Sequence, residues 1–174
     1  MFLSELEKGT SIFIDANIFI YHFSKESRFN QACSSFLEYI EAGSMSGFTS
    51  ISVIQEVIHR MMIIEALSLH PEIKAKDVVK YLKAHPEEVK KLIKHQGIPS
   101  RIGFFNVKIM SFDIETIERS QLMKRRYGFL SNDALTLQIM EDLNIKNLAS
   151  NDIDFEMADF VNLYRPSENI TFPK

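Results

Sequence analysis

The stretch "SIFIDANIFIY", residues 11–21, places Asp15 in the middle of an apolar run, with Asn17 two positions on. An unpaired charge inside a buried strand costs several kcal/mol. Either the strand stops at Asp15, or something close by requires a carboxylate there. That choice limits how the rest of the chain can be built.

The flanking sequence favours a strand that stops. "SIFI" is short, rich in β-formers, and bounded by Thr10 and Asp15. Beyond it the chain alternates. "RFNQACSSFLEYIEAG" repeats its apolar residues near a period of 3.6, with Gly43 suited to stop the helix. "SGFTS" reads as a second strand and "SVIQEVIHRMMIIEAL" as an apolar helix. A lysine-rich helical pair is expected at about 71–95, with Pro71 and Pro86 in the first turns. A loop "GIPSRIG" and a third strand "FFNVKIMS" follow. "DIETIERSQLMKRRYG" carries acids first and Lys124, Arg125 and Arg126 last, as the helix dipole favours. "SNDALTLQIMEDL" is a further helix with Ser131 or Asn132 as N-cap. "KNLAS", a turn at "NDID" and an edge strand "FVNLYR" complete the chain. This order predicts a three-layer α/β/α sandwich around a mainly parallel sheet, in one domain spanning 1–174.

Composition narrows the function classes. With 45% hydrophobic and 25% charged residues the chain is ordinary globular protein. No run approaches the ~20 apolar residues of a membrane span, and the acidic "MFLSELEKGT" is no signal peptide, so a cytoplasmic protein is expected. The single Cys33 excludes an internal disulfide and a cysteine-rich metal site. The five histidines lack metal-ligand spacing and read as packing or surface residues. Net charge is −3, but residues 59–108 hold ten Lys and Arg against five acids. A basic middle segment in an acidic body suits a polyanionic partner, or simply a solvated helical face.

Four acids then stand out. Asp15 and Asp152 each follow a predicted strand, Asp133 lies in the first turn of a helix, and Glu56 interrupts an apolar helix between Val53, Ile54, Val57 and Ile58. In open parallel sheets the functional crevice lies at the carboxyl ends of the strands. Each acid alone also reads as a turn or cap residue. Brought together without counter-cations they would repel, and a divalent cation resolves the repulsion. Oxygen ligands without Cys or paired His favour Mg²⁺ or Mn²⁺.

These stretches, in this order, resemble the PIN-domain nucleases, the fold shared by VapC-type toxins. "IFIDANIFIY" is similar to the family's opening strand with its Asp-x-Asn signature, and "TSISVIQEVIHR" to the helix bearing its glutamate. "FLSNDALTLQIMEDLNI" resembles the helix opened by the third acid. "NLASNDIDF" resembles the last strand, with Ser150 and Asp152 in the hydroxyl-x-Asp signature and Asp154-Phe155 as the ending. The segment between Glu56 and Asp133 is longer than in small VapC-like chains, and the excess lies in the lysine-rich helices.

The resemblance implies a metal-dependent endoribonuclease acting on single-stranded or structured RNA. It makes Asp15, Glu56, Asp133 and Asp152 catalytic and metal-binding, Asp154 a fifth ligand, and Asn17 and Ser150 orienting groups. It also implies an antitoxin protein if the chain is a toxin, and a homodimer. A haloacid-dehalogenase-type phosphatase would want a second Asp where Asn17 stands, and a phospho-receiver an early acidic pair. A PIN-like binding or scaffold module that has lost catalysis is the alternative, and metal binding separates it from the enzyme.

Overall fold

A computed structural model of the chain describes residues 1–168. Five strands, β1 (Ser11–Ile14), β2 (Ser46–Ser50), β3 (Lys108–Met110), β4 (Asn147–Ala149) and β5 (Asn162–Tyr164), form one sheet in the order β3-β2-β1-β4-β5. Every pairing is parallel, with Phe13 opposite both Phe48 and Leu148. Parallel strands need crossovers, which cover both faces. For that reason Ile12, Phe13 and Ile14 are all fully buried, not alternating in and out.

The helices are α1 (Ala16–Phe23), α2 (Asn30–Glu41), α3 (Ile51–Leu69), α4 (Val78–Ala84), α5 (Pro86–Val89), α6 (Ile98–Phe104), α7 (Ile114–Tyr127) and α8 (Ser131–Asp142). From β1 to β3 the chain steps across the sheet in one direction; from β3 it jumps back past β1 to β4 and goes on to β5 in that opposite direction. With right-handed crossovers, α1–α6 cover one face and α7–α8 the other. Accordingly α1 packs on α2 and α3, and α7 packs on α8. The result is a three-layer sandwich. Its topological switch point lies between β1 and β4.

Local chemistry explains the departures from expectation. The residues after Asp15 continue as α1, burying Ala16, Ile18 and Phe19. Their β-branched and aromatic content had concealed the helix. "GIPSRIG" is helix α6, not a loop: Pro99 sits in its first turn, where no amide donor is needed, and Ile98 and Ile102 are fully buried on one face. The third strand is correspondingly only Lys108–Met110, because Phe104 ends α6 and Asn106 turns the chain at φ 57°. Pro71 opens no helix; it lies in a turn, and α4 starts at Val78. Leu130, not Ser131 or Asn132, is the N-cap of α8, and the Ser131 hydroxyl accepts from Lys124 Nζ at 3.0 Å. Gly47 is required by close packing: a Cβ there would meet Ile40 Cγ2 at 3.0 Å and Ile14 Cδ1 at 3.1 Å.

The basic segment has its own small core, Ala66, Val78, Leu82 and Leu92. It is tied to α3 by a buried acid. Glu65, 4% exposed, accepts from Ile93 N at 3.0 Å and Lys94 N at 2.8 Å. Glu65→Ala leaves these amides without their charged acceptor. It is expected to lower stability by about 1.5–3 kcal/mol, measured as a reduced urea midpoint. An unchanged midpoint would show that the tie contributes nothing.

Candidate active site

The site assembles where strands end and helices begin. Asp15 is the N-cap residue of α1, and its amide donates to Ala149 O at 3.0 Å, extending the β1–β4 pairing to the turn. That contact carries Asp15 to Ser150, the first residue past β4. Ser50 closes β2 and at once caps α3, accepting from Val53 N at 3.3 Å, so Glu56 lies under two turns from the strand's carboxyl end. Thr49 Oγ1 donates to Ile14 O at 2.9 Å and locks the two strand ends together.

Ser150 is fully buried and has its hydrogen-bonding capacity filled. Its hydroxyl donates to Asp15 Oδ2 at 2.7 Å and accepts from Asn17 Nδ2 at 2.9 Å and from Asp152 N at 3.1 Å. One donor and two lone pairs are all a hydroxyl has. Asn17 also donates to Asp15 Oδ2 and accepts from Asn151 N at 3.0 Å. An aspartate at position 17 would lose both donations, which is the physical content of the Asp-x-Asn spacing. Asp152 caps the 3-10 turn Ile153–Met157, accepting from Asp154 N at 3.0 Å, and Phe155 anchors that turn by stacking on Phe129.

The carboxylates feel one another. Asp15 is pushed up to about 6, chiefly by burial, against the lowering effect of Ser150 and the Ala16 amide; Glu56 and Asp133 raise it further. Asp133 is likewise pushed up to about 6, by burial and then by Asp152, Glu56 and Asp154. No cationic side chain is among the influences on either. Glu56 and Asp133 line the same depression of about 450 Å³ with Asn132. All five predicted acids therefore belong to one electrostatic neighbourhood. Asp15, Glu56 and Asp133 are half-buried, Asp152 and Asp154 exposed.

Among the described residues, no three Asp, Glu, His or Cys side chains are gathered tightly enough to enclose an ion. The chemistry of the donor set still fits a hard divalent cation. It offers only oxygen, it is strongly negative, and two of its members, Asp15 and Asp133, are raised to about 6 by burial and by neighbouring carboxylates.

From the acids an open groove of about 1050 Å³ runs between α1 and α3 toward α4, with Asn17, Tyr21, Glu56, His59 and Arg60 in its walls. The sequence reads the histidines as packing or surface residues and identifies no aromatic beside the acids. His59 and Arg60 follow Glu56 by about one helical turn, and Tyr21 follows Asn17 by four residues. Helical periodicity was the available signal, and for Tyr21 it required knowing that α1 is a helix. Asn151 Nδ2 donates to the Tyr21 hydroxyl at 3.1 Å. Of the cations in the basic segment, Lys91 is instead paired with Glu88 at 2.7 Å, and on α7 Arg126 is paired with Asp159 at 3.0 Å.

Comparison with known proteins bears on the fold and the family. The chain is 27% identical over 153 residues to Ribonuclease VapC2 of Methanocaldococcus jannaschii, covering 87% of this chain and 91% of that one. Its fold is similar to VapBC2 from Rickettsia felis, solved bound to a DNA fragment from their promoter. That match has 15% identity and a TM-score of 0.56, covering 91% of this chain and 100% of that one. A second fold match is Mycobacterium tuberculosis VapC20, a Sarcin-Ricin loop cleaving toxin, with 15% identity and a TM-score of 0.54, covering 86% and 96%. The PIN domain family model matches residues 12–161, nearly the whole described fold, and the chain belongs to that family.

Proposed function

We propose that the protein is a VapC-like endoribonuclease that hydrolyses phosphodiester bonds of single-stranded or structured RNA. The observation that carries the reading is the mutual influence of Asp15, Glu56, Asp133, Asp152 and Asp154 at the β1/β4 switch point, with no cation among the described residues acting on Asp15 or Asp133. PIN-domain nucleases depend on divalent metal. In this chain Asp15, Glu56, Asp133 and Asp152 would hold the cation, with Asp154 as a further ligand. Oxygen-only donors favour Mg²⁺ or Mn²⁺. When bound, such a cation lowers the pKa of attacking water and neutralises charge on the phosphate.

The chain's own groups supply positioning. Ser150 and Asn17 hold Asp15 Oδ2 in one orientation through hydrogen bonds that leave its second oxygen free of them. Arg60 offers a cation to a phosphate in the groove, and the Tyr21 ring offers a surface on which a base can stack. The relative named as a ribonuclease supports RNA as the substrate.

An antitoxin protein is the expected partner, on the strength of the fold shared with VapBC2. A second copy of the chain is the other. The apolar helix α3 is largely covered, by α1, α4 and α6. Exposed apolar residues lie instead on α7, at Ile114, Ile117 and Leu122. No helix among the described residues is long and apolar enough to cross a membrane.

The test is cleavage of a labelled mixed-sequence RNA with Mg²⁺, with Mn²⁺ and with EDTA, beside an Asp133→Asn variant. Cutting is expected with metal, none with EDTA, and a loss of about 100-fold or more in the variant, given the several kcal/mol at stake in metal catalysis. Equal cutting by the variant would overturn the role of Asp133. Metal binding without any cutting would favour the scaffold alternative.

A further inference from the structure

Beyond the carboxylates, a second depression lies further along α1 and α3. A notch of about 420 Å³ is lined by Phe23, Met61, Ile64, Lys25, Lys94 and Arg101, and also by Ser24 and Glu26. Ile64 of α3 borders both the groove and the notch. Asn17 and Glu56 line the groove near the acids, while Phe23 and Met61 line the notch. At 1.5 Å per residue the notch lies about 8–9 Å further along α1 and α3.

We infer that Lys25, Lys94 and Arg101 form a phosphate-binding notch that receives single-stranded RNA leaving the carboxylates. This deepens the ribonuclease reading and rests on it. Three cations face one carboxylate, Glu26, so the notch is net positive. None of the three has an ion-pair partner among the described residues, whereas Arg28, Arg119 and Arg126 are each paired with an acid. Arg101 instead lies over the Phe23 ring, its guanidinium carbon 4.3 Å from the centroid. Stacking holds the planar group in place and leaves its donors for an oxyanion.

Lys94 is positioned as well. Its backbone amide donates to buried Glu65 at 2.8 Å, which fixes the turn that carries it. Lys25 follows α1 directly, so its place is set by the helix that Asp15 caps. Lys25 is distant in sequence from Lys94 and Arg101, and packing on α3 brings them together. Two of them lie in the segment between Glu56 and Asp133. That segment therefore contributes to substrate binding in addition to its own small core. Contacts of this kind are tolerant of base sequence and sensitive to salt.

The test is fluorescence anisotropy of labelled single-stranded RNA in EDTA, read as affinity against salt. It compares wild type with the triple variant Lys25→Gln, Lys94→Gln, Arg101→Gln and with a control double variant, Lys8→Gln, Lys146→Gln. The triple variant is expected to bind a long strand roughly tenfold or more weakly at low salt. Its log–log salt slope should fall by about 0.7 for each phosphate released. The control should keep the wild-type slope, and melting by circular dichroism verifies that all three proteins are folded. A wild-type slope and affinity in the folded triple variant would overturn the notch, even if wild type cuts RNA with metal. A reduced slope in a protein that cuts no RNA would keep the notch and overturn the catalytic reading. A wild type that neither binds nor cuts RNA would overturn both.

Discussion

Asp15→Asn is expected to reduce metal-dependent RNA cleavage by about a thousandfold or more, since about 4 kcal/mol of transition-state stabilisation is a modest share for a metal site to lose. The fold should survive. Asp15 Oδ2 accepts from Ser150 and from Asn17, and an asparagine can present its single carbonyl oxygen to both donors. Metal-free stability should rise, not fall. Asp15 is raised to about 6 because burial and the charges of Glu56 and Asp133 all penalise its ionised form, and a neutral amide escapes that penalty. The assay pairs single-turnover cleavage with thermal melting in EDTA. Lost activity with a raised Tm identifies a carboxylate kept for chemistry at the expense of stability. Retained cleavage would remove Asp15 from the ligand set, and a lowered Tm would make its role structural.

The second large effect is a metal stabilisation that depends on pH. Asp15 and Asp133 both have folded-state pKa values of about 6, above the 3.8 of a free aspartate. Below about pH 3 both groups are protonated whether the chain is folded or not, and they cost nothing. As pH rises toward 6 the unfolded chain releases protons that the folded chain retains, so stability falls; above about 6 the penalty is complete. For the two groups together, discounted for the solvent that reaches Asp133, this is on the order of 3 kcal/mol.

A divalent cation that binds the folded state reverses the loss. At a hundred times its dissociation constant it adds about 2.7 kcal/mol, or roughly 5–11 °C in Tm for a chain of this size. At pH 5 each carboxylate is only about one-tenth ionised, so displacing both protons weakens binding roughly a hundredfold. Melting with Mn²⁺ and with EDTA at pH 7.5 and pH 5 is the measurement. A large Tm gain at pH 7.5 that nearly vanishes at pH 5 is expected. An equal gain at both would mean that the cation binds away from these two acids.

Much of the site was legible because its residues sit at element boundaries, and boundaries are local. Asp15 after an apolar run, Asp152 after another and Asp133 in a first helical turn can each be found without knowing the fold. Glu56 was conspicuous because its helical neighbours are apolar. The same local reading failed where two periodicities compete. "NIFIYHF" suits a strand as well as a helix, and only the burial of Ile18 and Phe19 beside α3 makes it α1. "GIPSRIG" has the composition of a loop. Ile98 and Ile102 need a shared face on the core before it becomes α6.

The sequence by itself determined the alternation of strand and helix, the identity of the five acids, and the oxygen-only chemistry they can offer. It also specified Asn17 and Ser150, whose donors and acceptors suit a single hydrogen-bonded arrangement. Only the tertiary structure decided that these groups meet. The chain reverses direction between β1 and β4, and that crossover sets Ser150 against Asp15 although 135 residues separate them. Burial and mutual repulsion then move Asp15 and Asp133 to about 6, a property of neither residue alone. Which lysines and arginines face the groove was likewise decided by packing. A long cationic side chain on a helix surface points wherever its neighbours leave room, and no periodicity in the sequence records that.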